Sequence, residues 1–253
     1  MRVMPVSSSV TRLLWSFVLF LGVSFGVYVM FAQVHYAWNW SPALTYGPQL
    51  AVGWLTTLGL SLGAMVVSIL VGFTLMIGRR SPWVPVQLFC TGAVEILRGS
   101  PLLVQLLVGY YIVATALRIG EPLLVGMVLL GCFEGAYLAE IFRGAVESIG
   151  ASQREAARAV GFDATQTYRY VIIPQAIRRA LPGTTGQMVS LIKDSSLLSI
   201  IGIEELVKKV ESMNSASYTA LEGYLPLALA YLIVTLPLSW YARQLERRFA
   251  YET

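Results

Sequence analysis

From Leu50 to Gly78 the chain reads LAVGWLTTLGLSLGAMVVSILVGFTLMIG, without one Asp, Glu, Lys, Arg or His. A helix needs about 20 apolar residues to cross a hydrocarbon core about 30 Å thick, so this run is long enough to span a bilayer. Five more runs share its character: Leu13 to Val34, Trp83 to Leu117, Pro122 to Ser148, Thr184 to Ile203 and Tyr224 to Ala242. Long apolar runs separated mostly by short polar connectors predict an all-α membrane protein, a transmembrane helical bundle. The run from Leu13 is too long for the apolar core of a signal peptide, and no small-x-small cleavage site follows it, so it reads as a retained helix. The third run is long enough to hold a break, which Gly99 ahead of Ser100 and Pro101 predicts.

Composition points the same way. Hydrophobic residues make up 56% of the 253 and charged residues 13%, against about a quarter charged in a soluble domain. The mean hydropathy is +0.67. A soluble enzyme surface cannot be built from that supply. The net charge of +4 would raise the question of nucleic acid in a soluble protein; here the basic residues flank apolar runs, so topology accounts for them and no nucleic-acid partner is implied. Cys90 and Cys132 both lie inside apolar runs and have no metal-type spacing, so they read as packing residues. His35 is the only histidine, and neither a metal site nor a Ser-His-Asp constellation can be assembled around it. No catalytic residue is assigned.

Orientation follows from arginine placement, because cytoplasmic flanks of short loops are enriched in Arg and Lys. With the N-terminus inside, one side receives Arg2, Arg12, Arg79, Arg80, Arg143, Arg154, Arg158, Arg169, Arg178, Arg179, Arg243, Arg247 and Arg248, and the other only Arg118, Lys208 and Lys209. Both termini are predicted cytoplasmic. Pairs of small residues four apart, Gly22 with Gly26, Gly59 with Gly63 and Gly131 with Gly135, let helix backbones approach closely. Packing within one chain is the preferred reading over a dimerisation face.

The segment 150–182, from Gly150 to Pro182, is far longer than the other connectors. Ser152 with Glu155 three residues on has the capping-box arrangement, Ala156 and Ala157 favour a short helix, and Gly161 offers a stop. A second helix is predicted from Asp163 or Ala164. Two short helices exposed on the inner face suit docking into a groove on a partner.

This segment resembles the cytoplasmic loop of ABC importer permeases, whose pattern is EAA, three residues, G, nine residues, I-x-L-P. Here it reads Glu155-Ala156-Ala157, Gly161 and then Val171-Ile172-Ile173-Pro174, with the spacing matched. Other stretches are similar to the polar amino-acid uptake group, the histidine, glutamine and glutamate importers: Glu95-Ile96-Leu97-Arg98-Gly99-Ser100-Pro101-Leu102-Leu103-Val104-Gln105, Ala136-Tyr137-Leu138-Ala139-Glu140-Ile141-Phe142-Arg143-Gly144, Pro174-Gln175-Ala176 and Lys193-Asp194-Ser195-Ser196-Leu197. Ser152 stands where that group usually has Gly, and Ser100 and Ser195 where it usually has Thr. The Phe133-Glu134-x-Ala136-Tyr137 variant looks closest to members that handle acidic amino acids.

The resemblance implies a type I ABC importer-like transmembrane helical bundle in residues 50–253, a five-helix core, with residues 1–49 adding an extra N-terminal transmembrane helix and outer loop. It implies a permease subunit in the bacterial cytoplasmic (inner) membrane, partnered by an ABC ATPase dimer, a second permease chain, identical or homologous, and an extracytoplasmic amino-acid-binding protein. No G-x-x-x-x-G-K-[ST] phosphate loop occurs in the chain, so ATP and Mg belong on the ATPase and no cofactor is expected on this chain. Ser152, Gln153, Glu155, Ala156, Ala157, Gly161 and Pro174 are the expected coupling residues.

Charges inside the spans must pair or face water. Glu95 with Arg98, three residues apart, is expected to form a structural ion pair, and Glu140, Arg143 and Glu147 share one helix face as a pairing stripe. Glu134 lies off that stripe with Tyr137, Leu138 and Ile141. Gln187, Ser190, Lys193 and Asp194 form a partly polar stripe in the fifth run. A zwitterionic amino acid needs a donor for its carboxylate and an acceptor for its ammonium, which Lys193 with Asp194 or Glu134 would supply; a structural lock between the same residues is the alternative. The expected substrate path comprises Arg98, Gly99, Ser100, Gln105, Glu134, Tyr137, Gln187, Ser190, Lys193, Asp194 and Ser195. An ion-gradient-driven secondary transporter or channel, with Glu134 and Asp194 as ion sites, is the competing function, and it leaves the EAA loop unexplained.

Overall fold

The computed structural model describes residues 9–33 and 36–250. Arg2, Val34 and His35 lie outside the described residues, as does the side chain of Arg12. The chain divides into two units, residues 1–39 and 40–253, and each is taken by itself. In the first, α1 (Ser9–Gln33) is a continuous helix, long and apolar enough to cross a membrane.

The regular structure of the second unit is all helical, with no strand among its described residues. It begins with the short α2 (Ser41–Thr45) and is organised on two long helices, α3 (Gly47–Gly78) and α6 (Pro122–Glu147). These run in the same direction and in step. Gly63 meets Met127, Gly131 meets Val67, and Gly135 meets Val71, so each advance of four residues on one helix matches four on the other. A Cβ on Gly131 would stand 2.6 Å from the Val67 Cβ and 3.1 Å from the Ala64 carbonyl oxygen. Small residues every fourth position bring the two backbones into contact, which in lipid is the main source of helix association. Gly131 and Gly135 therefore pack within the chain, while Gly59 faces open space.

Helices with a common direction need a return element between them, and the third apolar run provides it in two pieces. α4 (Val84–Gly99) meets α5 (Leu102–Val108), which continues as a π-helical turn to Ala114, at a bend of 112°. Cys90 packs against Gly78 and Leu75, Val94 against Ala139, and Arg98 reaches Tyr137 and Glu140. α4 therefore crosses the arginine-bearing ends of α3 and α6, and only α5 climbs along α6, where Gly109 meets Leu129. The break falls where Pro101 holds Ser100 extended (φ −119°, ψ 152°). Its exposed carbonyls are taken up by Gln105, whose amide nitrogen donates to Leu97 O at 2.7 Å and to Ser100 O at 3.2 Å.

Beyond α6 come α7 (Ala151–Ala159), α8 (Ala164–Gln166) and a π-helical turn leading into α9 (Ile173–Asp194), which tightens to a 3-10 turn ending at Gly202. The fifth span was expected to start at Thr184, but α9 runs unbroken through Pro182, so the connector and the span are one helix. α9 carries Arg178, Arg179, Lys193 and Asp194, and it is not among the helices apolar enough to qualify as spans, which are α1, α3, α6, α11 and the bent α4–α5 pair. α9 runs opposite to α6: Gly183 lies under Ile141, Gln187 at Glu134, and Leu198 at Gly126. The core of the unit gathers Leu60, Ala64, Leu106, Leu130, Phe133 and Leu191. α10 (Leu206–Ser217) follows, and α11 (Leu221–Ala250) closes the chain.

Candidate translocation site and coupling surface

Glu134 sits midway along α6 and is fully buried. Gln187 of α9 donates its side-chain amide to Oε2, and Oε1 has no hydrogen-bond partner among the described residues. Asp194 and Lys193 lie close enough to act on it electrostatically. The pairing of Glu134 with Lys193 is not formed; Lys193 is exposed and holds no ion pair among the described residues. Ser190 is half-buried, while Ser195 is buried and spends its hydroxyl on the Ile192 carbonyl at 2.8 Å.

One turn along α6 from Glu134, Tyr137 packs on Phe133 with ring centroids 5.2 Å apart and lies under the Arg98 guanidinium, 5.2 Å from its ring centre. Arg98 also stands 3.7 Å from Glu140. The expected pair of Arg98 with Glu95 is thus corrected: Arg98 turns toward α6, where a carboxylate and an aromatic face are already in place, and Glu95 is exposed without an ion pair among the described residues. Arg143 holds Glu140 at 2.6 Å and also pairs with Glu147. From α3, Arg79 bonds Glu140, and Arg80 reaches Glu147 at 3.4 Å. Nothing in local spacing announces those two contacts, because they depend on the parallel register of α3 and α6. Gly99 is exposed at the break, and Gln105 and Ser100 hold it, their side chains 2.8 Å apart.

At the same end, α7 starts after Gly150 with no side-chain cap, so Ser152 and Glu155 do not form the expected capping box. Ser152 falls one residue inside the helix, with its backbone already helical. The box lies instead at the next start, where Gln166 N donates to Asp163 Oδ1 at 2.8 Å and Asp163 N to Gln166 Oε1 at 3.0 Å. Gly161 ends α7 with φ +86°, the left-handed conformation that glycine adopts without strain. Ala157 is buried, whereas Ser152, Gln153, Glu155, Ala156 and Pro174 are exposed. Gln153 reaches Gln175 at 3.4 Å, tying α7 to α9.

At the opposite end, the sequence reading missed Glu205. Its buried carboxylate caps α10 through Val207 N at 3.0 Å and Lys208 N at 2.9 Å, and it accepts from Thr57 and Tyr231, each at 3.3 Å. Burial holds it above the usual carboxylate range. Glutamate is not a favoured N-cap, so no sequence signal marks it.

A parallel pair of glycine-packed helices, a return element broken at a proline, and a two-helix segment at the basic end define a membrane permease of the type I ABC importer architecture. The chain belongs to the family described as binding-protein-dependent transport system inner membrane component, whose family model matches residues 64–251. It is similar to the glutamine transport system permease protein GlnP of Escherichia coli (strain K12), 38% identical over 214 residues, covering 83% of this chain and 94% of that protein. It is also similar to the glutamate/aspartate import permease protein GltK of Escherichia coli O6:H1, 31% identical over 223 residues, covering 85% of this chain and all of that protein. The solved structure of an amino acid ABC transporter with histidines superposes with a TM-score of 0.77 at 31% identity, over 84% of this chain and 100% of that one. The MetNI methionine ABC transporter shares the fold, with a TM-score of 0.68 at 18% identity, over 81% of this chain and 98% of that one. The chain is therefore an importer permease subunit of the inner membrane and not an ion-driven transporter. ATP hydrolysis belongs to a separate subunit, and the family implies that ATPase and a second permease chain as partners.

Proposed function

We propose that the chain passes a polar α-amino acid, glutamine-like or glutamate-like, into the cytoplasm by way of Glu134. The unpartnered carboxyl oxygen there carries the reading. Glu134 is fully buried with Asp194 and Lys193 beside it, and its Oε1 has no hydrogen-bond partner among the described residues. An α-ammonium group supplies the missing donor. Lys193, exposed and without an ion pair among the described residues, is the donor for the α-carboxylate. The substrates in the names of GlnP and GltK support the same class.

The arginine-bearing end faces the cytoplasm in this reading, with both chain termini on that side, and the family description supports delivery by an extracytoplasmic binding protein at the α10 end. The α7–α8 segment, with Ser152, Gln153, Glu155, Ala156, Ala157, Gly161 and Pro174, docks on the ATPase, which holds ATP and Mg. Residues 1–49 add one transmembrane helix to a permease core of residues 50–253. Reconstitution with the ATPase and the binding protein, followed by ATP-dependent uptake of a labelled amino-acid panel, tests the assignment. Uptake confined to glutamine, glutamate, aspartate or asparagine is the expected result, and uptake of none of the polar amino acids would reject it.

A further inference from the structure

We infer that the ATPase docking groove presents a carboxylate that bridges Arg154 and Arg158 of α7. The inference rests on the proposed docking of α7 and adds the chemistry of the surface that receives it. Arg154 and Arg158 are four residues apart and project from one flank of the helix. Neither makes a hydrogen bond or ion pair among the described residues, and Arg154 Nε is buried without an acceptor. That nitrogen is covered by the chain itself, while the terminal nitrogens of the half-buried Arg154 and the exposed Arg158 stay open to a partner.

The neighbouring acids do not supply that partner. Glu155 is exposed without an ion pair among the described residues, and the Asp163 carboxylate is engaged in capping Gln166. Two guanidinium groups at this spacing also repel each other. Arg158 has a structural reason for its place, since a cation in the last turn suits the helix dipole, but Arg154 lies in mid-helix and has none. Other arginines of the segment are occupied: Arg169 lies over the Tyr170 ring, and Arg179 holds the Ser148 carbonyl at 2.6 Å. Residues 150–182 carry five arginines and two acids, so the surface as a whole favours an acidic partner. The forked guanidinium pairs with a carboxylate, and one carboxylate held between the terminal nitrogens of the two groups removes their repulsion.

The test measures the Kd of the ATPase subunit for the permease in phosphatidylcholine nanodiscs across a salt series. Three forms are compared: wild type, the double variant Arg154→Gln with Arg158→Gln, and the double variant Arg154→Lys with Arg158→Lys. The glutamine double variant is expected to bind about tenfold more weakly and with a flatter salt dependence. The lysine pair should recover the salt dependence but not the full affinity, because the fork is lost. A folded glutamine double variant with wild-type Kd and salt slope overturns the inference. So does one whose only change is weaker association of the permease with phosphatidylglycerol, which would assign the pair to lipid. If wild type itself fails to bind the ATPase, the docking reading fails; if Gly161→Val loses the ATPase while the glutamine double variant keeps it, docking stands and the bridging carboxylate does not.

Discussion

Gln187 of α9 donates its side-chain amide to one carboxylate oxygen of Glu134 on α6 and leaves the other oxygen buried, with no hydrogen-bond partner among the described residues. The contact makes Glu134 a half-satisfied acceptor in the interior of a membrane bundle. A half-satisfied buried group either costs stability or awaits a ligand.

Glu134→Gln separates those outcomes. As an ammonium receptor, the variant should assemble and keep its basal ATPase activity while uptake falls about tenfold or more, or changes its preference across the amino-acid panel. If Glu134 is instead locked to Lys193 through charge, the variant should lose stability by about 1–3 kcal/mol and Lys193→Met should partly restore it. A folded Glu134→Gln protein with unchanged uptake for the whole panel would defeat the substrate role.

The close approach of α3 and α6 gives a prediction on stability. A Cβ on Gly135 would stand 2.8 Å from the Val71 Cβ and 3.1 Å from the Ser68 carbonyl oxygen, and neither is the end of a flexible chain. Gly135→Ala should destabilise the bundle by about 1–3 kcal/mol, as overpacking does. Gly59→Ala, at a glycine with nothing within 4 Å, should be neutral or stabilising by about 0.5–1 kcal/mol through helix propensity. Thermal unfolding of the two variants in the same detergent provides the comparison.

Coupling is tested at the end of α7. Gly161 has φ +86° with open space around it, so Gly161→Val brings backbone strain of about 1–2 kcal/mol and no clash. The variant should insert normally and lose substrate-stimulated ATP hydrolysis, because the segment after α7 leaves at a different angle. Glu155→Lys, on the exposed face of α7, should weaken the same response without a backbone change. Wild-type stimulation in both variants would remove the coupling role from this segment.

Orientation is open to a direct labelling measurement. Ser212 of α10 and Gln153 of α7 are both exposed, at opposite ends of the bundle. In a background with Cys90 and Cys132 replaced, a reagent that stays outside sealed cells should label Ser212→Cys and not Gln153→Cys. Labelling of the second position would reverse the topology read from arginine placement.

Residue order alone determined the features that are local in origin. Apolar length selected the spans, Pro101 and Gly99 set the break in the third, and Gly161 marked the end of α7, because hydropathy and backbone constraints act within a few residues. Only tertiary structure decided which charges meet. Arg98 leaves Glu95 for Glu140, Arg79 arrives from α3, Gln187 rather than Lys193 bonds Glu134, and Glu205 ties α10 to Thr57 and Tyr231. The Arg79 contact depends on the four-residue register of α3 against α6, and the Gln187 contact on α9 running opposite to α6 as one unbroken helix. Spacing along one helix reports which side chains share a face, and the packing of small residues between helices sets what that face meets.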